Sequence, residues 1–126
     1  MKPVLYHCAD ARSFRVLWML EELELDYELK LLPFPPRLLE PGFLEINPLG
    51  TIPFYQEGAV RMTESPAIVQ YLAARHGGGR LEIGRDEPGF GEGLAFPRLR
   101  GGVIDLEDAE VGDRVAQAEG VEAGAE

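Results

Sequence analysis

Apolar positions in this chain fall into short separate runs, and their spacing changes character from one run to the next. Pro3 to His7 is a brief apolar stretch ended by the polar turn Ala9-Asp10-Ala11-Arg12, which predicts a short buried strand. The period then lengthens. Val16, Leu17, Leu20 and Leu23 recur at the spacing that lines one face of a helix. Asp10 stands where an N-cap belongs, with Ser13 three residues later. Tyr27 to Leu32 alternates Tyr and Leu with Glu and Lys, a strand pattern that Leu31-Leu32 interrupts and that Pro33, Pro35 and Pro36 end.

Pro41 to Ile46 reads as a short irregular helix closed by Asn47-Pro48-Leu49-Gly50, a strong turn signal. Ile52 to Gln56 is a strand that contains Pro53; Glu57-Gly58 turns the chain, and Ala59 to Met62 returns as the second half of a hairpin. Ser65-Pro66 opens a helix running to about Arg75, with Ser as N-cap and Pro at the first helical position. The order is therefore βαβ, then α, ββ and α. Past His76 the pattern breaks down. Glycines at 77–79, 84, 89, 91, 93, 101 and 102 interrupt it, and only Val103 to Ala118 suggests a short acidic helix, with Gly112 inside it at a cost of ~1 kcal/mol.

Composition sharpens that division. The chain has 126 residues, enough for one domain, and a net charge of −10. The first 76 residues hold 7 Lys/Arg and 10 Asp/Glu; the rest hold 5 and 12, together with 12 of the 15 glycines. Residues 1–78 thus predict a packed domain, and 79–126 a largely disordered, Gly-rich acidic tail. So acidic a protein is a poor partner for nucleic acid or an anionic membrane surface. No apolar run reaches the ~18 residues of a membrane span, and the N-terminus lacks a secretory pattern. With one cysteine, Cys8, there is no internal disulfide, and a cytoplasmic location is expected.

Three places carry possible chemistry. Pro53 inside a strand is either an ordinary edge proline or a cis proline that leaves the backbone of Ile52 open to a ligand. Glu64-Ser65 at a helix start is either simple capping or a site for an amino-acid end: the helix N-terminus and hydroxyl suit a carboxylate, and Glu64 suits an ammonium. The segment from Tyr6 to Arg15 puts a thiol, a hydroxyl and two guanidinium groups near the start of the first helix, a field that stabilises a thiolate. Its plainer reading is a buried Cys8 and a capping Ser13.

Taken together, Arg15 to Leu23, Asn47 to Pro53, and Glu64-Ser65 with Ile68-Val69-Gln70-Tyr71-Leu72 resemble the N-terminal domain of the glutathione transferase family over about residues 3–76. The resemblance implies a thioredoxin-like α/β fold, with a mixed four-stranded sheet flanked by helices. It implies glutathione as co-substrate and no metal. Ile52, preceding the cis Pro53, would pair its backbone with the cysteinyl part of glutathione, and Glu64 with Ser65 would hold the γ-glutamyl end. The implied reaction is attack of the glutathione thiolate on a small electrophile, and the implied assembly a homodimer in full-length relatives. The alternative is a truncated, non-catalytic module that binds glutathione or a protein.

Two departures from the family pattern matter. Where many members place a catalytic Ser, this chain has Asp10 or Ala11, so activation of the thiol is expected to be mainly electrostatic, from the N–H groups around Ala11 and Arg12. Ser13 is the best single side chain for it and Cys8, roughly aligned with the cysteine of thiol-exchanging members, the second. In addition, Arg85-Asp86-Glu87-Pro88 looks like the family's interdomain linker, but an acidic tail follows it in place of an all-helical domain.

Overall fold

A computed structural model of the chain describes residues 2–78 and 109–120. Val4–His7 forms strand β1, and Phe14–Glu22 the helix α1. Glu28–Leu31 is β2, and two single-turn helices follow, α2 over Pro36–Leu39 and α3 over Phe43–Ile46. Phe54–Glu57 and Val60–Met62 are β3 and β4, Ser65–His76 is α4, and Ala109–Ala118 is α5. The four strands make one mixed sheet in the order β2-β1-β3-β4. β1 and β2 run parallel, with Leu5 opposite Leu29, while β3 is antiparallel to both β1 and β4.

Strand alternation divides the core between the two sheet faces. Leu5 and its cross-strand neighbour Tyr55 are buried with Val16, Leu17, Met19 and Leu20 of α1 and Ile68, Val69 and Leu72 of α4. Tyr6 instead stacks at an angle on Phe54 and on Phe43 of α3, with ring centroids 5.7 and 6.0 Å away. Helices therefore cover the sheet on both sides, and the fold is the thioredoxin-like one.

At the far end of β3, Glu57 gathers three donors: the Tyr55 and Tyr71 hydroxyls and His76 Nε2. Burial of Glu57 works against its charge. The hydrogen bonds from Tyr71, His76 and Tyr55 outweigh it and hold the carboxyl below the usual glutamate range. The same carboxylate, and then burial, push the Tyr71 hydroxyl up.

Several elements differ from the reading of the sequence. Helix α1 begins at Phe14, and Asp10 is no cap: it sits in the preceding turn with φ 60°, a left-handed conformation that Asp tolerates better than most residues. Ser65 is the first residue of α4 and Glu64 its N-cap. The single turn α2 went unread because Pro33, Pro35 and Pro36 look only like breakers, yet Pro36 starts this helix, where no N–H is needed. Within the expected tail, α5 is ordered against α1. Val111 and Val115, one turn apart, are both buried there, and Arg114 donates to the Glu21 carboxylate and backbone carbonyl, each at 3.2 Å. The rest of the expected tail, 79–108 and 121–126, lies outside the described residues, as does the linker-like Arg85–Pro88.

Candidate functional site

The strand ends and helix starts converge on a cleft beside β1 and β3. One part, about 370 Å³, is lined by Arg12, Arg15, Thr51, Ile52, Pro53, Thr63, Glu64, Ser65 and Pro66. The next, about 400 Å³, is lined by Ala9, Asp10, Ala11, Arg12, Phe34 and Ile52. A third, about 280 Å³, continues past Ile52 to Phe34, Pro35, Pro36, Arg37, Gly50 and Thr51. Ile52 belongs to all three, so it forms the ridge between them.

Local rules place each lining residue. The turn after α3 is built by Asn47, whose amide donates to the Thr51 carbonyl at 2.8 Å while its carbonyl accepts from the Leu49 N–H at 3.2 Å. Gly50 follows with φ +66°, and a Cβ there would lie 2.8 Å from Arg37 Cβ and 2.9 Å from a Leu44 methyl, so no other residue fits without displacement. The chain then enters Ile52–Pro53, whose peptide bond is cis, as is Phe34–Pro35. On the opposite wall, Glu64 caps α4 in position only, because its side chain makes no capping hydrogen bond. The positive end of the α4 dipole opens on the cleft, where Ser65 and Pro66 are among the lining residues.

Of the residues singled out in the sequence, Ile52, Pro53, Glu64 and Ser65 come together on one cavity wall. Cys8 and Ser13 do not line any of the three parts. Both have 0% exposure. The Ser13 hydroxyl lies 2.6 Å from His7 Nδ1 and accepts from the Cys8 N–H at 3.2 Å, with the Cys8 carbonyl 3.3 Å away. The Cys8 thiol faces the Pro33 carbonyl at 3.7 Å, and burial pushes its pKa up, away from thiolate character. Burial, the plainer reading of Cys8, describes its placement; Ser13 stands at the N-cap position of α1, but its side chain makes no capping hydrogen bond and bonds His7 and Cys8 instead.

What remains at the cleft is electrostatic. Arg12 and Arg15 bring two guanidinium groups to the part that also holds Glu64 and the start of α4, and Asp10 adds a carboxylate to the neighbouring part. Cations, a helix N-terminus and two carboxylates suit a zwitterionic ligand with more than one carboxylate. Among the described residues, no group of three or more His, Cys, Asp or Glu is placed to hold a metal ion, and no helix is long and apolar enough to cross a membrane. One residue tied to this site escaped the reading of the sequence. His7 appeared only as the end of a strand, though its burial follows from sharing the Leu5 face.

Comparison with known proteins gives a consistent result. Residues 11–75, about half of the 126-residue chain, match the model of the N-terminal domain of glutathione S-transferases. Glutathione S-transferase 3 of Schizosaccharomyces pombe is 36% identical over 74 residues, covering 59% of this chain and 31% of that protein. Glutathione S-transferase F4 of Arabidopsis thaliana is 41% identical over 68 residues, covering 49% of this chain and 26% of that protein. The chain thus spans about a third or less of the length of these relatives. Among solved structures, a glutathione S-transferase from the Antarctic clam Laternula elliptica superposes with TM-score 0.63 at 28% identity, covering 75% of this chain and 44% of that one. A glutathione transferase from Phanerochaete chrysosporium, solved with oxidized glutathione, gives TM-score 0.64 at 25% identity, covering 76% and 46%.

Proposed function

Because the chain belongs to the glutathione S-transferase family through its N-terminal domain, we propose that residues 2–78 bind glutathione in the cleft and favour its thiolate form for attack on a small electrophile. The observation that carries this reading is the convergence of Ile52, Pro53, Glu64 and Ser65 with Arg12 and Arg15 around one cavity. Glutathione has two carboxylates, one ammonium group and a central cysteinyl unit. The γ-glutamyl carboxylate takes the Ser65 hydroxyl and the start of α4, and its ammonium takes Glu64. The backbone of Ile52 pairs with the cysteinyl unit, which leaves the sulfur toward the part walled by Ala9 to Arg12.

Activation then falls to the field at that wall. The thiol loses its proton to water, and the N–H groups of Ala11 and Arg12 with the Arg12 and Arg15 charges stabilise the sulfur anion. The anion forms a carbon–sulfur bond to the electrophile, and the electron pair displaced there leaves with a departing group or, in an addition, goes to a carbon or heteroatom that solvent then protonates. Ser13, ranked first among side chains from the sequence, acts from beneath by holding Cys8, and Cys8 stays a buried thiol. The same reading puts the protein in the cytoplasm with glutathione and a small electrophile as its partners, and pairs full-length relatives as homodimers.

The second reading is a module that binds glutathione, or a protein, without turnover. It is favoured by the absence of any side-chain hydroxyl or thiol from the Ala9 to Arg12 wall. Calorimetry with glutathione, run beside turnover of a generic aromatic electrophile, separates the two: binding with turnover supports the transferase, and binding alone supports the module. Ser65→Ala is expected to weaken glutathione binding at least several-fold, since a hydrogen bond to a charged group contributes ~1.5–3 kcal/mol. Unchanged binding would remove Ser65 from the site.

A further inference from the structure

One buried polar chain runs from the C-terminal helix to the wall of the cleft. Glu119, just past the end of α5, places Oε1 2.6 Å from His7 Nε2. His7 is wholly buried at the end of β1, and its Nδ1 is 2.6 Å from the Ser13 hydroxyl. Ser13 in turn holds the peptide groups of Cys8, the residue from which the cleft-lining segment Ala9 to Arg12 departs.

Hydrogen-bond accounting gives this chain a direction. A carboxylate only accepts, so Glu119 requires the proton of neutral His7 to sit on Nε2. Nδ1 is then an acceptor, and the Ser13 O–H donates to it at 2.6 Å in preference to the Cys8 carbonyl at 3.3 Å. The Ser13 oxygen is left to accept from the Cys8 N–H. Without Glu119, the imidazole proton is free to move to Nδ1. The Ser13 hydroxyl would then swing to the Cys8 carbonyl, and the anchor of the cleft wall would change.

We propose that Glu119 and His7 are positioning residues: the Glu119 carboxylate selects the His7 tautomer, and through Ser13 the tautomer sets the Cys8 to Arg12 wall against which the glutathione sulfur lies. The ligand in this statement rests on the function proposed above; the coupling itself rests on the hydrogen-bond chain. It makes the segment carrying Glu119 part of the site, although its sequence position is 112 residues from His7.

The test uses the full chain and three variants, read by nitrogen NMR of the histidine ring, amide exchange of Cys8 to Arg12, and calorimetry with glutathione. In the parent chain His7 should be the Nε2–H tautomer. Glu119→Ala should shift it toward Nδ1–H, speed exchange of these amides several-fold, and weaken glutathione binding several-fold. Glu119→Gln, which keeps an acceptor oxygen, should restore most of each effect. Arg114→Ala removes another polar anchor of α5 and leaves the relay intact, so it should change the wall amides far less. A Glu119→Ala protein with an unaltered tautomer and unaltered wall amides would overturn the proposal. So would an Arg114→Ala protein that changes them equally, because simple undocking of α5 would then explain the effect. If the parent chain fails to bind glutathione while tautomer and amides respond as described, the proposed function falls and the relay stands.

Discussion

Two stretches flank the cleft, and they are held by different means. From Val4 to Leu23 the chain is a strand, a turn and a helix whose Leu5, Val16, Leu17, Met19 and Leu20 are wholly buried. From Pro33 to Pro53 it is two single turns and several bends, with Phe34, Leu38, Leu39, Leu44 and Leu49 all at least half exposed. The first stretch is positioned by apolar burial, the second by its turns: Asn47 clasping Thr51, Gly50 in left-handed backbone, and Phe43 packed under Tyr6. Removing a side chain should therefore be costly on one side and cheap on the other, while altering the backbone should be costly on the second.

Leu20→Ala is expected to have the largest effect, because it opens a cavity between α1 and the sheet. A loss of ~2–5 kcal/mol by denaturant titration fits a wholly buried leucine. A loss under about 1 kcal/mol would mean that α1 is not the anchor described here. Gly50→Ala should cost ~1–3 kcal/mol, since a Cβ must adopt φ +66° and meets Arg37 and Leu44. Its amide shifts should spread into Thr51 and Ile52. An unchanged spectrum there would break the claim that the turn positions the cleft ridge.

A third test extends the comparison to the far end of β3, where the polar cluster on Glu57 ties the sheet to α4. Tyr71→Phe should cost about 1.5 kcal/mol near neutral pH. The carboxyl of Glu57 is held below its ordinary value, so the stability it adds is complete above pH ~4.3 and is lost as pH falls through the lower folded value. Denaturation midpoints measured from pH 7 downward should show that loss, and Glu57→Gln should flatten it. Smallest of all should be Leu38→Ala, a change within ~0.5 kcal/mol at a side chain 74% exposed. A larger loss would show that Leu38 is packed in solution.

The same contrast explains what could be read from the sequence. The buried stretch carries its structure in periodicity: Val16, Leu17 and Leu20 announce α1, and the Leu5 and His7 positions share one face. The Ile52-Pro53 and Glu64-Ser65 pairs were legible because strand and helix boundaries lie beside them. Helix α2 was not, since a proline that breaks one element also starts the next. Nor were the roles of Ser13 and Asp10. A serine near a helix start has the same local signature whether it faces a ligand or a buried histidine, and a left-handed Asp looks like an N-cap in sequence. The link from Glu119 to His7 has no local signal at all. Val111 and Val115 fall within the suggested acidic helix of Val103 to Ala118, but the surrounding glycines and negative charge pointed to a tail with nothing to pack against.

Trp18 is the chain's single tryptophan, and it lies at the seam between α1 and α5. Phe14 packs against one part of the indole at 5.6 Å, and Gly112 of α5 is so near that a Cβ there would lie 3.7 Å from Cη2. The molecule therefore carries a native fluorophore at a place where residues 109–120 meet the domain. With α5 seated, the indole sits in a dry apolar environment and emits toward the blue. Displacing α5 would bring water to the ring and move the band to the red. Seating of the C-terminal helix can thus be timed by light alone, without a label.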